Sequence, residues 1–354
     1  MYKYVHGGDV YSLQKIETGI KIVDFSANVN PLGLPAGVKT ALRKAVLTCS
    51  AYPDPFCREL TTAIAADLSV KAEQIFFGSG AADVLFRLML ALRPRRALIP
   101  APTFADYEKA LQTVSCKLDY YNLNPDDDFK IGTTILSHIK QGTDIVVLCN
   151  PNNPTGTLTD QATLLAILNR CREVGARLLI DECFLDFLED EEAYSLKEFL
   201  NVNNNLIILK AFTKTYAMAG VRLGYCLSGD EGVVRSLREN GQDWNVSALA
   251  QAAGIAAVKE KAYLEKTRLY VKAERKYLEE ALRLLGAKTY RPAANYVFFF
   301  FAEQPDLDAK LLQEGFLIRD CSNYRNLKKG FYRIAVKTKK QNRLFIRALR
   351  KVLK

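Results

Sequence analysis

Short, continuous apolar runs punctuate the chain: QIFF at 74–77, RALIP at 96–100, DIVVLC at 144–149, RLLID at 177–181, NLIILK at 205–210 and LGYCLS at 223–228. Runs this short, with little polar alternation, predict strands buried on both faces. Between them lie longer stretches with helical spacing, such as 159–174. Strands alternating with helices predict an α/β domain with a largely parallel sheet. After about Gln251 the pattern changes: a long charged helical stretch (251–285), NYVFFFF at 295–301, a further helix, FYRIAV at 331–336 and a terminal helix. This predicts a smaller α+β domain. The first 35 residues are rich in Gly and Pro and are expected to pack onto it. The expected division is an arm (1–35), a large domain (36–250) and a small domain (251–354).

Composition changes this picture little. The chain has 354 residues, 49% hydrophobic and 25% charged, which is ordinary for a globular protein with two domains. No apolar stretch approaches the about 18 residues of a membrane span. MYKYVHGGDVYSL lacks the apolar run of a secretion signal, so the cytoplasm is the expected location. None of the eight cysteines forms a C-x-x-C pair and there are two histidines, so no metal site is expected. The cysteines read as buried reduced thiols. The net charge is +10, and from Cys321 onward there are twelve Lys or Arg and no Asp or Glu. That excess raises a nucleic-acid partner as a rival reading. The basic segment, however, carries strand and helix patterning: Leu344, Ile346, Leu349 and Val352 recur at helical spacing. A solvated helix face is expected there, with no nucleic-acid or membrane partner.

Polar signals stand at the edges of successive predicted strands: NPNNPTG at 150–156, Asp181-Glu182, FTK at 212–214 and GVRLGY at 220–225. In a doubly wound sheet, ligands bind outside the carboxyl ends of the strands, so these groups are expected to converge on one crevice. Taken singly each is commonplace. A strand-end Asp is often a helix cap, NPNNPTG is turn chemistry, and GSGAAD at 78–83 is a tight turn or a poor dinucleotide fingerprint.

Taken together and in this order, the four motifs resemble those of the fold-type-I pyridoxal-phosphate (PLP) enzymes, close to the histidinol-phosphate aminotransferases. The resemblance implies a PLP-dependent transferase fold with a mostly parallel seven-stranded sheet. It implies that Lys214 supplies the amine for the cofactor's Schiff base, and that Asp181 keeps the pyridine nitrogen protonated. Asn153 matches the donor to the ring hydroxyl, and Phe104 the aromatic that stacks on the ring. Gly80 and Ala81 at a helix start, with Thr213 and Arg222, would cup the phosphate. Tyr52 matches a tyrosine that reaches the site from a second subunit, which implies a homodimer.

HGGDVY (6–11), DFSANVNPLG (24–33), DECFLDF (181–187), DWNVSALA (243–250) and FLIRDCSNYRNLKKGFYRIAVK (316–337) are similar to the L-threonine-O-3-phosphate decarboxylases of cobalamin biosynthesis. Phe184 stands where the aminotransferases usually have Tyr. The resemblance implies that His6, Gly7, Asn30, Asn153, Arg319 and Arg333 bind the substrate, with the two arginines sharing its carboxylate and phosphate. Which arginine takes which group stays open. So do a histidinol-phosphate-type aminotransferase and a decarboxylase of O-phosphoserine.

Overall fold

The computed structural model describes residues 6–12 and 22–354. The remaining parts of the expected arm, 1–5 and 13–21, lie outside the described residues. The strands are β1 (Val23–Asp24), β2 (Ile75–Gly78), β3 (Arg96–Ala101), β4 (Lys117–Asn122), β5 (Ile145–Cys149), β6 (Arg177–Asp181), β7 (Leu206–Ala211), β8 (Gly224–Ser228), β9 (Lys288–Thr289), β10 (Tyr296–Phe300), β11 (Phe316–Leu317), β12 (Arg319–Asp320) and β13 (Phe331–Ala335). The helices are α1 (Ala36–Ala45), α2 (Arg58–Leu68), α3 (Ala81–Leu92), α4 (Ala105–Gln112), α5 (Gln161–Val174), α6 (Phe212–Thr215), α7 (Glu231–Glu239), α8 (Ala248–Val258), α9 (Lys261–Leu284), α10 (Leu307–Gln313) and α11 (Lys339–Val352).

Successive residues of the central strands feed two different cores. Val146, Leu148, Leu178, Ile180, Leu206 and Ile208 join one, with Leu60, Leu164 and Ala253 from helices α2, α5 and α8. Val147, Leu179, Ile207 and Leu209 join the other, with Leu85, Tyr107 and Val233 from α3, α4 and α7. This alternation across a pleated strand is why the runs are continuously apolar. The seven-stranded sheet has the order β2-β8-β7-β6-β5-β3-β4, and β8 alone is antiparallel to its neighbours. Every expected strand forms within a residue or two. The seventh, β4 (KLDYYN), lies at the sheet edge with no fully buried residue, so it carries no apolar run.

The small sheet has the order β12-β13-β10-β9 and is antiparallel. Its core joins Val297, Phe299, Tyr332 and Ile334 to Leu278, Leu282, Phe345 and Leu349. The arm packs there: β1 pairs with β11, and Phe25 belongs to the same core. The helical stretch expected over 251–285 divides into α8 and α9 at Lys259-Glu260. α8 packs against α1 and α2, so the expected boundary at 250/251 falls inside a helix of the large unit. No helix among the described residues is long and apolar enough to cross a membrane.

Candidate active site

The carboxyl ends of β5, β6 and β7 open into a cavity of about 300 Å³. Ala81, Phe104, Asn153, Asp181, Thr213, Lys214 and Arg222 line its large-domain side. His6, Gly7, Ser26, Ala27, Asn28, Tyr324 and Arg333 line it from the arm and the small domain.

Lys214 sits on α6, the single turn that follows β7. Burial, with Arg333 nearby, lowers its amine to about 8. A buried amine that is about half neutral near pH 8 is a competent nucleophile. The turn is held from several sides. Asn30 donates its backbone N–H to the Lys214 carbonyl (3.1 Å) and its Nδ2 to the Thr215 carbonyl (2.6 Å) and the Thr267 hydroxyl (2.9 Å). The Thr215 hydroxyl donates to Asp186 (3.4 Å), which pairs with Lys210 at 2.8 Å. Burial opposes the Lys210 charge, but Asp186 together with Tyr225, Glu182 and Glu191 outweighs it and holds the amine well above the usual lysine range. Burial pushes the neighbouring Glu182 carboxyl up to about 7.

Asp181 ends β6 at the cavity floor and is 7% exposed. Its Oδ1 accepts the Cys183 backbone N–H (2.9 Å) and its Oδ2 accepts the Tyr107 hydroxyl (2.6 Å). Burial raises the carboxyl above its ordinary value, while these donors and Lys214 act in the opposite direction.

At the opposite end, Gly80 caps α3 with φ +91°, a conformation that favours glycine. A Cβ there would lie 2.5 Å from the Arg222 guanidinium, so Gly80 lets that cation approach the helix start. The first-turn N–H groups of α3 and the positive helix end make this an anion cradle.

The small-domain wall is organised around Arg333, which is 5% exposed. Its guanidinium donates to Asn153 Oδ1 and to the Ser26 carbonyl (2.9 Å). Its Nε is buried without a partner. Gly7 packs so closely on Ser26 that a Cβ would lie 2.3 Å from that carbonyl. His6 reaches Asp106 on α4 at 3.0 Å, and its ring lies 5.4 Å from Phe104. The HGG segment therefore bridges the arm and the large domain beside the cavity.

Three expectations are corrected or fall elsewhere. Asn30 does not line the cavity: its Nδ2 ties α6 to α9 and its Oδ1 accepts the Leu32 backbone N–H (3.0 Å). Asn28, two residues earlier, does line it, is 3% exposed, and its Oδ1 has no partner. Arg319 lies opposite Arg333 in the β12–β13 register but does not line the cavity. Its guanidinium donates to the Asp320 carbonyl and to Asn323 Oδ1 (2.7 Å), and lies over the Tyr324 ring at 5.1 Å. Tyr324 thus stands between it and the cavity, and Arg319 lines a smaller adjoining pocket. Tyr52 is 81% exposed and its ring lies tilted against Trp244 (4.7 Å between centroids), outside the cavity of its own chain. Phe184 lines the cavity edge-on to Tyr296 (5.1 Å). Sequence reasoning missed Asn28 and Tyr107. Asn28 shares SANVN with Asn30, and Tyr107 follows Phe104 at the i+3 spacing of one helix face.

A buried amine with a lowered pKa, a buried carboxylate facing the same space, an aromatic wall and an anion cradle fit PLP. The comparisons agree. A threonine-phosphate decarboxylase of Salmonella typhimurium is 35% identical over 100% of this chain and 98% of its own length. A histidinol-phosphate aminotransferase of Moorella thermoacetica is 32% identical over 99% of this chain and 90% of its own. The crystal structure of L-threonine-O-3-phosphate decarboxylase from Porphyromonas gingivalis superposes with a TM-score of 0.82 at 26% identity, covering 94% of this chain and 99% of that one. The profile of aminotransferase class I and II matches residues 20–349, and the chain belongs to that family.

Proposed function

We propose that this protein is a PLP-dependent decarboxylase of L-threonine O-3-phosphate, yielding (R)-1-aminopropan-2-yl phosphate and carbon dioxide. The resemblance to decarboxylases of cobalamin biosynthesis supplies the metabolic setting. Bound in the cavity, the cofactor supplies an electron sink for the bond broken at the substrate Cα. Lys214 holds the cofactor and, once displaced by the substrate amine, is the group that returns a proton to Cα. Asp181 holds the proton on the ring nitrogen. Ala81, Gly80, Thr213 and Arg222 bind the cofactor phosphate, Asn153 donates to the ring hydroxyl, and Phe104 covers the ring.

The protein's remaining task is orientation. A decarboxylase must set the Cα–carboxylate bond perpendicular to the ring, whereas an aminotransferase sets the Cα–H bond there. Two anionic ends held by a fixed wall define that rotation. Arg333 carries one end, while His6, the Gly7 backbone and Asn28 stand where the other end arrives. Arg319 acts through Tyr324. The observation that carries the reading is the HGG segment itself: His6 and Gly7 line the cavity that holds Lys214.

We also propose a homodimer in which Tyr52 completes the partner's site; Tyr52 and Trp244 form an exposed aromatic pair with exposed Phe56 near Trp244. The arm and the small domain act as one substrate-holding unit against the large domain. Eight free thiols suit a reducing, cytoplasmic setting.

The test is to incubate the purified holoenzyme with L-threonine O-3-phosphate, with and without 2-oxoglutarate, and to measure carbon dioxide and glutamate. Carbon dioxide in equal amount to amine phosphate, independent of 2-oxoglutarate, is expected. Glutamate formation without carbon dioxide would sink the proposal in favour of an aminotransferase.

A further inference from the structure

Asp181 has to remain ionised in a place where burial raises its carboxyl. Cations are not its main support. Lys214 shares the cavity, but its own amine is lowered to about 8. The Cys149 thiol, close to Tyr107 and Asp181, is held well above the usual thiol range by burial and by Asp181, so it stays neutral. What meets the carboxylate is a set of neutral donors: the Cys183 N–H at 2.9 Å, the Tyr107 hydroxyl at 2.6 Å and the Cys183 thiol.

Tyr107 is suited to this. It is 0% exposed, and burial together with Asp181 holds its hydroxyl well above the ordinary phenol range, so it is a donor at every working pH. It lies on the first turn of α4, edge-on to Phe104 at 5.6 Å, so the residue covering the ring and the residue supporting Asp181 share one helix. An ionised carboxylate offers about four acceptor sites, and these three donors leave one for the ring nitrogen's N–H.

We infer that Tyr107 is a positioning residue that keeps the proton on the cofactor's ring nitrogen by stabilising the negative charge of Asp181. This rests on the assignment of Asp181 made above. The chemistry is a proton shared between two bases. With Tyr107 donating, the proton rests on nitrogen beside a carboxylate. Without it, the carboxylate is more basic and the proton moves to Asp181, leaving a neutral ring nitrogen and a neutral carboxyl. Hydrogen bonds to charged groups contribute enough that losing one changes the ratio of the two forms roughly ten- to a hundredfold.

The experiment is nitrogen-15 NMR of holoenzyme reconstituted with ring-labelled PLP, for wild type, Tyr107→Phe, Asp181→Asn and the double variant. Wild type should give the protonated-pyridine position and Asp181→Asn the neutral one. Tyr107→Phe should move toward neutral, and in the Asp181→Asn background it should add nothing. Near-native thermal unfolding of Tyr107→Phe separates this from loss of folding, and packing alone would not move the resonance. If Asp181→Asn shifts the resonance and Tyr107→Phe leaves it at the wild-type position, the role of Tyr107 is overturned. If Asp181→Asn itself leaves it unmoved, the assignment of Asp181 fails first, and the inference with it.

Discussion

The two walls of the cavity are built differently. The large-domain wall is a set of strand ends: Asp181 closes β6, Lys214 follows β7, and Asn153 follows β5. Each is fixed by a strand buried on both faces. The opposite wall joins Gly7 and Asn28 from the arm to Arg333 from β13, which are held by contacts between segments about 300 residues apart, such as Arg333 to the Ser26 carbonyl. A site on rigid strand ends suits a resident cofactor. A wall assembled from two distant segments suits selection of a substrate, because its side chains vary without disturbing the sheet.

The largest effect should come from the first wall. Lys214→Ala should abolish the visible absorption band of bound cofactor and lower activity by about 10⁴-fold or more, the upper range of proton-transfer groups. A variant that kept both would break the distinction at its base. Lys214 also sets a pH dependence. Its amine, lowered to about 8, is the reactive neutral form above that pH, so the rate of cofactor capture by cofactor-free protein should rise with pH through a midpoint near 8. A midpoint near 10, the ordinary lysine value, would mean the amine is not buried as described.

On the second wall, Arg333→Ala removes a buried guanidinium that binds Asn153 and Ser26. A loss of about 2–4 kcal/mol is expected, roughly 30- to 1000-fold in kcat/KM, with substrate affinity taking a large share. Arg319→Ala should cost less, roughly tenfold at most, since its guanidinium packs on Tyr324 rather than in the cavity and loses about one net hydrogen bond. Equal effects from the two arginines in steady-state kinetics would sharpen the comparison by bringing Arg319 into the substrate's reach.

The same contrast decides what was legible in the sequence. The large-domain residues sit in short motifs directly after apolar runs, so local pattern places them. The edge strand β4 was hidden because KLDYYN buries no residue fully. Arg319 and Arg333 face each other in register, yet Asn323 and Tyr324 turn one of them aside, which strand periodicity does not encode. Asn28 and Asn30 differ by two positions in one SANVN segment. Only the three-dimensional path of the arm gives Asn30 to Thr215 and Thr267 and leaves Asn28 for the cavity.

That pair offers the most direct measurement: Kd values for PLP and for L-threonine O-3-phosphate in Asn28→Ala and Asn30→Ala, alongside unfolding free energies. Asn28→Ala should weaken the substrate about tenfold, the worth of one hydrogen bond to a charged group, while leaving cofactor affinity and stability unchanged. Asn30→Ala should lower stability by about 1–3 kcal/mol, because it strips partners from buried groups around α6. If Asn28→Ala weakened the cofactor and left the substrate untouched, the division of the cavity into a cofactor wall and a substrate wall would be contradicted.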